Sequence, residues 1–217
     1  GSAGYDVNEY SLSTAFDVST ASYIQRFLVS SQETGPQGIT FNNDGTKMFI
    51  VGSNGDDVNE YSLSTAFDVS TASYVQNFSV AAQDTYPTSI TFNNDGTKMY
   101  VLGDYGNDVN EYNLTTAFDV STASYVQRFA VGTQETYPNG MSFNNDGTKM
   151  FITGYNGDDV NEYSLSTAFD VSTASYVQNF SIFSQENAPR GMAFNNDGTK
   201  MYITGSAGYD VNEYSLS

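Results

Sequence analysis

The sequence predicts an all-β chain built as a β-propeller of four-stranded antiparallel blades, and three observations carry that expectation. First, the string Asp-Val-Asn-Glu-Tyr begins at Asp6, Asp57, Asp108, Asp159 and Asp210, each 51 residues after the last, and Phe-Asn-Asn-Asp-Gly-Thr-Lys-Met begins at Phe41, Phe92, Phe143 and Phe194 with the same spacing. Second, each period holds four short runs rich in Val, Ile, Thr, Tyr and Phe, with turn residues between them and no helical periodicity. Third, the 217-residue chain ends as it begins, because residues 1–13 recur letter for letter as residues 205–217. A fixed period of this length marks a repeat architecture, and one four-stranded meander per period is a propeller blade. A β-solenoid is the rival, but its coils are usually shorter and its strands flatter.

The second period shows each element in order. Residues 89–92 alternate Ser-Ile-Thr-Phe and form a first strand. Asn93-Asn94-Asp95-Gly96 follows, and Asp-Gly between apolar runs signals a hairpin because Gly accepts the positive φ of a tight turn. Residues 98–102 (Lys-Met-Tyr-Val-Leu) are apolar on both faces, so this second strand is expected to be buried on both sides. A Gly- and Asp-containing turn at 103–107 leads to a third strand at 108–115. A longer connection at 116–122 follows, where Asp119 and Ser121 suit local side-chain-to-backbone bonds. Residues 124–131 form a fourth strand, and 134–138 return to the next blade.

The unbroken period predicts one propeller domain over residues 1–217, with repeats at 6–56, 57–107, 108–158 and 159–209 and a duplicate of the first strand at 210–217. The chain starts on a third strand and ends on another copy of it. Pairing the N- and C-terminal strands in one blade closes a four-bladed ring, in which that blade has two identical candidates for one slot. Two chains can instead form an eight-bladed ring, a homodimer through strand pairing. The single-chain ring is preferred because it needs no partner. Small residues on the first strands (Gly38, Ser89, Gly140, Gly191) allow close approach near the axis in either case.

Composition narrows the chemistry. There is no Cys, which removes disulfides and thiolate-bound zinc, and no His, which removes the commonest general base and a Ser-His-Asp arrangement. The net charge of −18 repels nucleic acid and anionic membranes, so neither is expected as a partner. No run of about 18 apolar residues is present to span a membrane as a helix. No cofactor or metal is expected. An extracellular location is expected if the chain is natural.

The segment 87–103, Pro-x-x-Ile-x-Phe-x-x-Asp-Gly-Thr-Lys-Met-Tyr-Val and onward, resembles the inner strands of bacterial propeller blades. The run Asp-Val-Asn-Glu-Tyr-Ser-Leu-Ser-Thr-Ala-Phe-Asp-Val-Ser-Thr-Ala-Ser-Tyr resembles tandem propeller repeats of marine bacterial and phage proteins. The resemblance covers the whole chain. It implies a fold and no catalytic residue, because propellers host many activities.

Comparing the four periods separates two faces. Asn-Asn-Asp-Gly-Thr-Lys, Asp-Val-Asn-Glu-Tyr and Thr-Ala-Phe-Asp-Val-Ser-Thr-Ala-Ser-Tyr hardly vary, whereas the approach to the first strand and the turn between second and third strands do. In an up-down meander these two variable connections lie at one end of every blade. A ligand site, if the protein has one, is therefore expected around Gln37, Tyr86, Thr88, Tyr105, Tyr137, Asn139, Tyr155 and Arg190. Tyr rings and amides there suit carbohydrate or protein partners. Neutral drift in unconstrained loops explains the same variation. The acidic run Asn54 to Glu60 lacks the spacing of an EF-hand, and Lys47, Lys98, Lys149 and Lys200 are expected to pair with nearby carboxylates. Every strand carboxylate recurs in each period, whereas a glycosidase-type pair needs one asymmetric constellation. Asn77, Asn113 and Asn179 head sequons, a pattern that arises easily in Asn- and Ser-rich chains. The expected function is a non-catalytic repeat scaffold, from recent gene amplification or deliberate design. The alternative is an extracellular recognition module using the variable face.

Overall fold

The structure, a computed structural model, describes residues 3–216. Gly1, Ser2 and Ser217, which belong to the duplicated end segments, lie outside the described residues. Seventeen strands follow one another: β1 (Asp6–Leu12), β2 (Ala21–Leu28), β3 (Pro36–Phe41), β4 (Lys47–Gly52), β5 (Asp57–Leu63), β6 (Ala72–Ser79), β7 (Pro87–Phe92), β8 (Lys98–Gly103), β9 (Asp108–Leu114), β10 (Ala123–Ala130), β11 (Pro138–Phe143), β12 (Lys149–Gly154), β13 (Asp159–Leu165), β14 (Ala174–Ser181), β15 (Pro189–Phe194), β16 (Lys200–Gly205) and β17 (Val211–Ser215). The connection between third and fourth strands holds a single 3₁₀ turn, as at Val120–Thr122, in which Ser121 N donates to Asp119 Oδ1 at 3.1 Å. The fold is an all-β, four-bladed propeller of repeating units. β3–β6, β7–β10 and β11–β14 are complete antiparallel meanders, while the two ends of the chain form a two-stranded sheet (β1–β2) and a three-stranded sheet (β15–β17).

The turns obey the local chemistry. Gly45, Gly96, Gly147 and Gly198 sit at φ of 70–71°, where a Cβ would be strained. The Asn before each turn caps it, as when Lys98 N donates to Asn93 Oδ1 at 2.9 Å. The second Asn reaches the next blade: Asn43 Nδ2 donates to the Asn94 carbonyl and Asn94 Nδ2 to the Asn145 carbonyl, both at 2.6 Å.

The core lies between sheets. On β4, Phe49 and Val51 face the second blade, in one cluster with Ile90, Met99 and Tyr112. Met48 and Ile50 face the other way, toward Val7 and Phe27 of the N-terminal hairpin. All four are at most 1% exposed, so the second strand is buried on both faces as its sequence implied. Near the axis the inner strands touch: a Cβ on Gly38 would lie 2.9 Å from the Ser89 Cα.

Two seams are also held by a buried glutamate. Glu60, 2% exposed, accepts from Lys47 Nζ at 2.8 Å, Gln76 Nε2 at 2.9 Å and Val120 N of the next blade at 3.2 Å. Gln76 also reaches Asp119 of that blade at 2.8 Å, and Lys47 reaches the Phe118 carbonyl at 2.7 Å. Phe118 has φ of 56°, an uncommon conformation for a bulky residue. The same bonds recur around Glu111, through Lys98, Gln127 and Val171.

The ends depart from expectation. β1 pairs only with β2, and β17 pairs only with β16. The expected pairing of the N- and C-terminal strands in one sheet is thus corrected. β17 follows β16 through a short turn, whereas β1 is nearly the whole chain away, so the local copy closes at far lower loop entropy. The β1–β2 hairpin packs on the first blade, with Phe27 and Tyr61 ring centroids 5.7 Å apart. Its other side faces the last sheet, where Lys200 Nζ donates to the Phe16 carbonyl at 3.1 Å and Tyr202 Oη donates to the same oxygen. That is the bond Lys47 and Lys98 make to a following blade. The hairpin therefore occupies a wedge of its own after the last sheet.

Replacing Glu111 by Ala should cost about 3 kcal/mol, because it removes the acceptor shared by Lys98 and Gln127 and leaves the buried Val171 N–H unpaired. Glu162→Ala should cost only about 1 kcal/mol, because among the described residues Glu162 meets Lys149 and Gln178 and no following loop. Urea denaturation of both variants measures the difference.

Candidate functional site

The variable connections do lie together at one end of each blade. Ser53 N donates to the Gly35 carbonyl at 3.1 Å, and the equivalent bonds join Asp104 to Tyr86 and Tyr155 to Tyr137, both at 3.0 Å. A buried carboxylate ties each such pair of loops. Glu33 accepts from Gly35 N at 2.5 Å and Gly55 N at 3.1 Å; Asp84 accepts from Tyr86 N at 2.6 Å and Gly106 N at 2.7 Å. Glu135 bonds Tyr137 N and Gly157 N, and Glu186 bonds Ala188 N and Gly208 N. All four carboxylates are at most 2% exposed. Backbone donors replace the water a buried anion loses, so the loops are fixed rather than free. These four residues were missed in the sequence reading. Their signal was there: an acid at one repeat position, always after Gln, inside a segment that otherwise varies.

The turn between second and third strands contains a residue at φ of 46–55°: Asp56, Asn107, Asp158 and Tyr209. The Asn107 amide, oriented with its nitrogen inward, donates to the carbonyls of Thr136 at 2.8 Å and Asp104 at 2.9 Å. Asp56 and Asp158 place a carboxyl at the same repeat position, and each leaves a buried Oδ1 without a hydrogen-bond partner. Burial first, then repulsion from Glu33 and Asp84, raises the Asp56 carboxyl above its ordinary range. Burial, Glu135, Asp159 and Glu186 raise Asp158.

The sequence-derived candidates divide. Tyr105 (81% exposed), Tyr155 (52%), Tyr137 (51%) and Tyr86 (38%) stand on the loop face. Arg190 is exposed, and its guanidinium lies 3.4 Å from Asn139 Oδ1; Gln37 is half-buried. Thr88 and Asn139 are buried: Thr88 Oγ1 donates to the Pro138 carbonyl of the next blade at 2.9 Å, and Asn139 Nδ2 to the Tyr137 carbonyl at 3.1 Å. Both are held within the protein, Thr88 by its bond to the neighbouring blade and Asn139 by its bond to its own loop. In the acidic run, Glu60 is taken by Lys47, and Asp57 accepts from Asn59 and Asn77 at 2.6 Å each. Lys98, Lys149 and Lys200 likewise meet Glu111, Glu162 and Glu213 at 2.6–2.7 Å.

No known protein family matches the sequence. No curated protein matches it. Solved structures do share the fold. A Lactobacillus plantarum protein superposes with a TM-score of 0.62 at 10% identity, over 99% of this chain and 62% of that one. The periplasmic gluconolactonase PpgL of Pseudomonas aeruginosa gives 0.55 at 12% identity, over 98% and 60%. The β-propeller domain of Cps50 (Swd1) from Myceliophteria thermophila gives 0.54 at 12% identity, over 84% and 54%. The chain thus spans about three fifths or less of these proteins, and the likeness is one of fold.

Asp56→Asn and Asp158→Asn should each raise the melting temperature at neutral pH, on the order of 2 °C, by supplying the amide that Asn107 uses. The folded-state carboxyl values are raised, so ionisation removes stability as pH rises through them. The advantage of the Asn variants should therefore shrink as pH falls below that range. Thermal melts across a pH series check both the gain and its sign.

Proposed function

We propose that the chain is a non-catalytic repeat scaffold. The observation that supports this best is how its recurring carboxylates serve the architecture. In the complete blades the seam glutamate is bonded by Lys and Gln, the aspartate of the same string is bonded by Asn, and the turn carboxylate is bonded by backbone N–H groups. Each of these arrangements recurs with the period, so none forms the single asymmetric constellation that acid–base chemistry uses. Three structural relatives are named as gluconolactonases or 6-phosphogluconolactonases, but at 12% identity the likeness extends to fold alone.

A second reading, an extracellular recognition module for carbohydrate or protein, is favoured by the exposed Tyr105, Tyr137 and Tyr155 on one rigid face. Rings presented on fixed loops lose little entropy on binding.

A glycan array and a δ-lactone hydrolysis assay test these readings together. The scaffold reading expects no retained glycan and no hydrolysis above the buffer rate. Saturable glycan binding that falls at least about tenfold on Tyr105→Ala or Tyr155→Ala would transfer the conclusion to the recognition reading. Lactone turnover would overturn both.

A further inference from the structure

We propose that the open last sheet is an interface for a second copy of this chain, whose β1–β2 hairpin enters it as its third and fourth strands. The proposal goes beyond the scaffold reading and does not depend on it.

The seam before the last sheet lacks a defined set of partners. Gln76 and Gln127 each reach an Asp of the following blade, but Gln178 bonds only Glu162. Lys47 and Lys98 each reach a Phe carbonyl, whereas Lys149 meets Glu162 and, among the described residues, no following loop. Glu60 and Glu111 accept from a Val N–H that Glu162 does not receive. The missing groups are thus a Phe carbonyl, an Asp carboxylate and a Val N–H, in that order along a chain. A groove of about 900 Å³ marks the place, bordered by Phe180 and Tyr214. Phe180 is 56% exposed, and the Tyr214 hydroxyl is buried without a partner among the described residues.

Phe16-Asp17-Val18, in the β1–β2 loop, is that sequence. In this structure the side chain of Asp17 bonds only its own turn, through Ser19. The hairpin therefore carries the groups the groove lacks, and β2 carries the fourth strand that the last sheet lacks. β17 has the same sequence as β1, so exchanging one for the other beside β16 replaces like with like. The exchange then adds a strand and a loop. In the lone chain β17 covers an edge that would otherwise pair freely.

The hairpin of the same chain is committed elsewhere. Gln25 Nε2 donates to Asp68 at 2.7 Å and Val69 N donates to Glu9 at 3.0 Å, while Val29 is buried in the core of the first blade. The hairpin thus moves with that blade, and Lys200 holds it one wedge beyond the last sheet. Entering the last sheet would require β3 to lie beside β15. The inner strands instead pack in the order β3, β7, β11 and β15. The step between blades therefore suits a ring larger than one chain supplies. Reciprocal exchange of hairpins between two copies closes such a ring with two-fold symmetry and eight blades.

Light scattering on the full chain should give a mass near twice 23.6 kDa. A second measurement identifies the contact. Thr204 now opposes Val211, the repeat counterpart of Val7. The double variant Thr204→Cys with Val7→Cys, in a chain otherwise free of Cys, should form a covalent dimer on a non-reducing gel, because opposed strand residues lie within disulfide reach. A monomer at all concentrations, a disulfide within one chain, or a dimer that does not cross-link would each overturn the proposal.

Discussion

A carboxylate buried between two sheets is stable only if its charge and its lone pairs are answered there, and Glu60 and Glu111 are answered from both sides of a seam. Lys and Gln come from the same blade, and the backbone N–H of Val comes from the next. Because Gln and Lys also bond across to Asp and to the Phe carbonyl, the blades cannot slide or tilt without breaking several charged contacts together. The apolar clusters supply area without direction; the glutamates supply register. The left-handed Phe118 has its explanation here, since that backbone conformation aims its carbonyl at Lys47 of the preceding blade.

The loop face repeats this logic on a smaller scale. Glu33, Asp84, Glu135 and Glu186 gather backbone donors from two connections each, so side chains that vary between blades stand on loops that do not. Asp56 and Asp158 are the exceptions. Their buried oxygens lack donors, whereas Asn107 shows the amide that the position accommodates. An acid retained at two of these turns therefore costs stability.

Much of this was readable from the residues. The strands, the Asp-Gly turns and the two-sided burial of β4, β8 and β12 follow from local pattern, because period and turn chemistry act over a few residues. The reason Asp-Val-Asn-Glu-Tyr and Phe-Asp-Val-Ser-Thr do not vary was not readable, since they meet only across a seam. Of the candidate ligand residues, the exposure of Tyr105, Tyr137 and Tyr155 matched their place in turns. The burial of Thr88 and Asn139 did not, because it depends on the neighbouring blade.

The sequence by itself determined the blade: its four strands, its turns, and the duplicated strand at each end. Identical strings, however, contain no instruction about which copy pairs with which. Only the tertiary structure decided that β17 rather than β1 lies beside β16, and that the hairpin takes the wedge beyond. The physical reason is that pairing energy is the same for two identical strands, so chain connectivity and the curvature set at each seam make the choice.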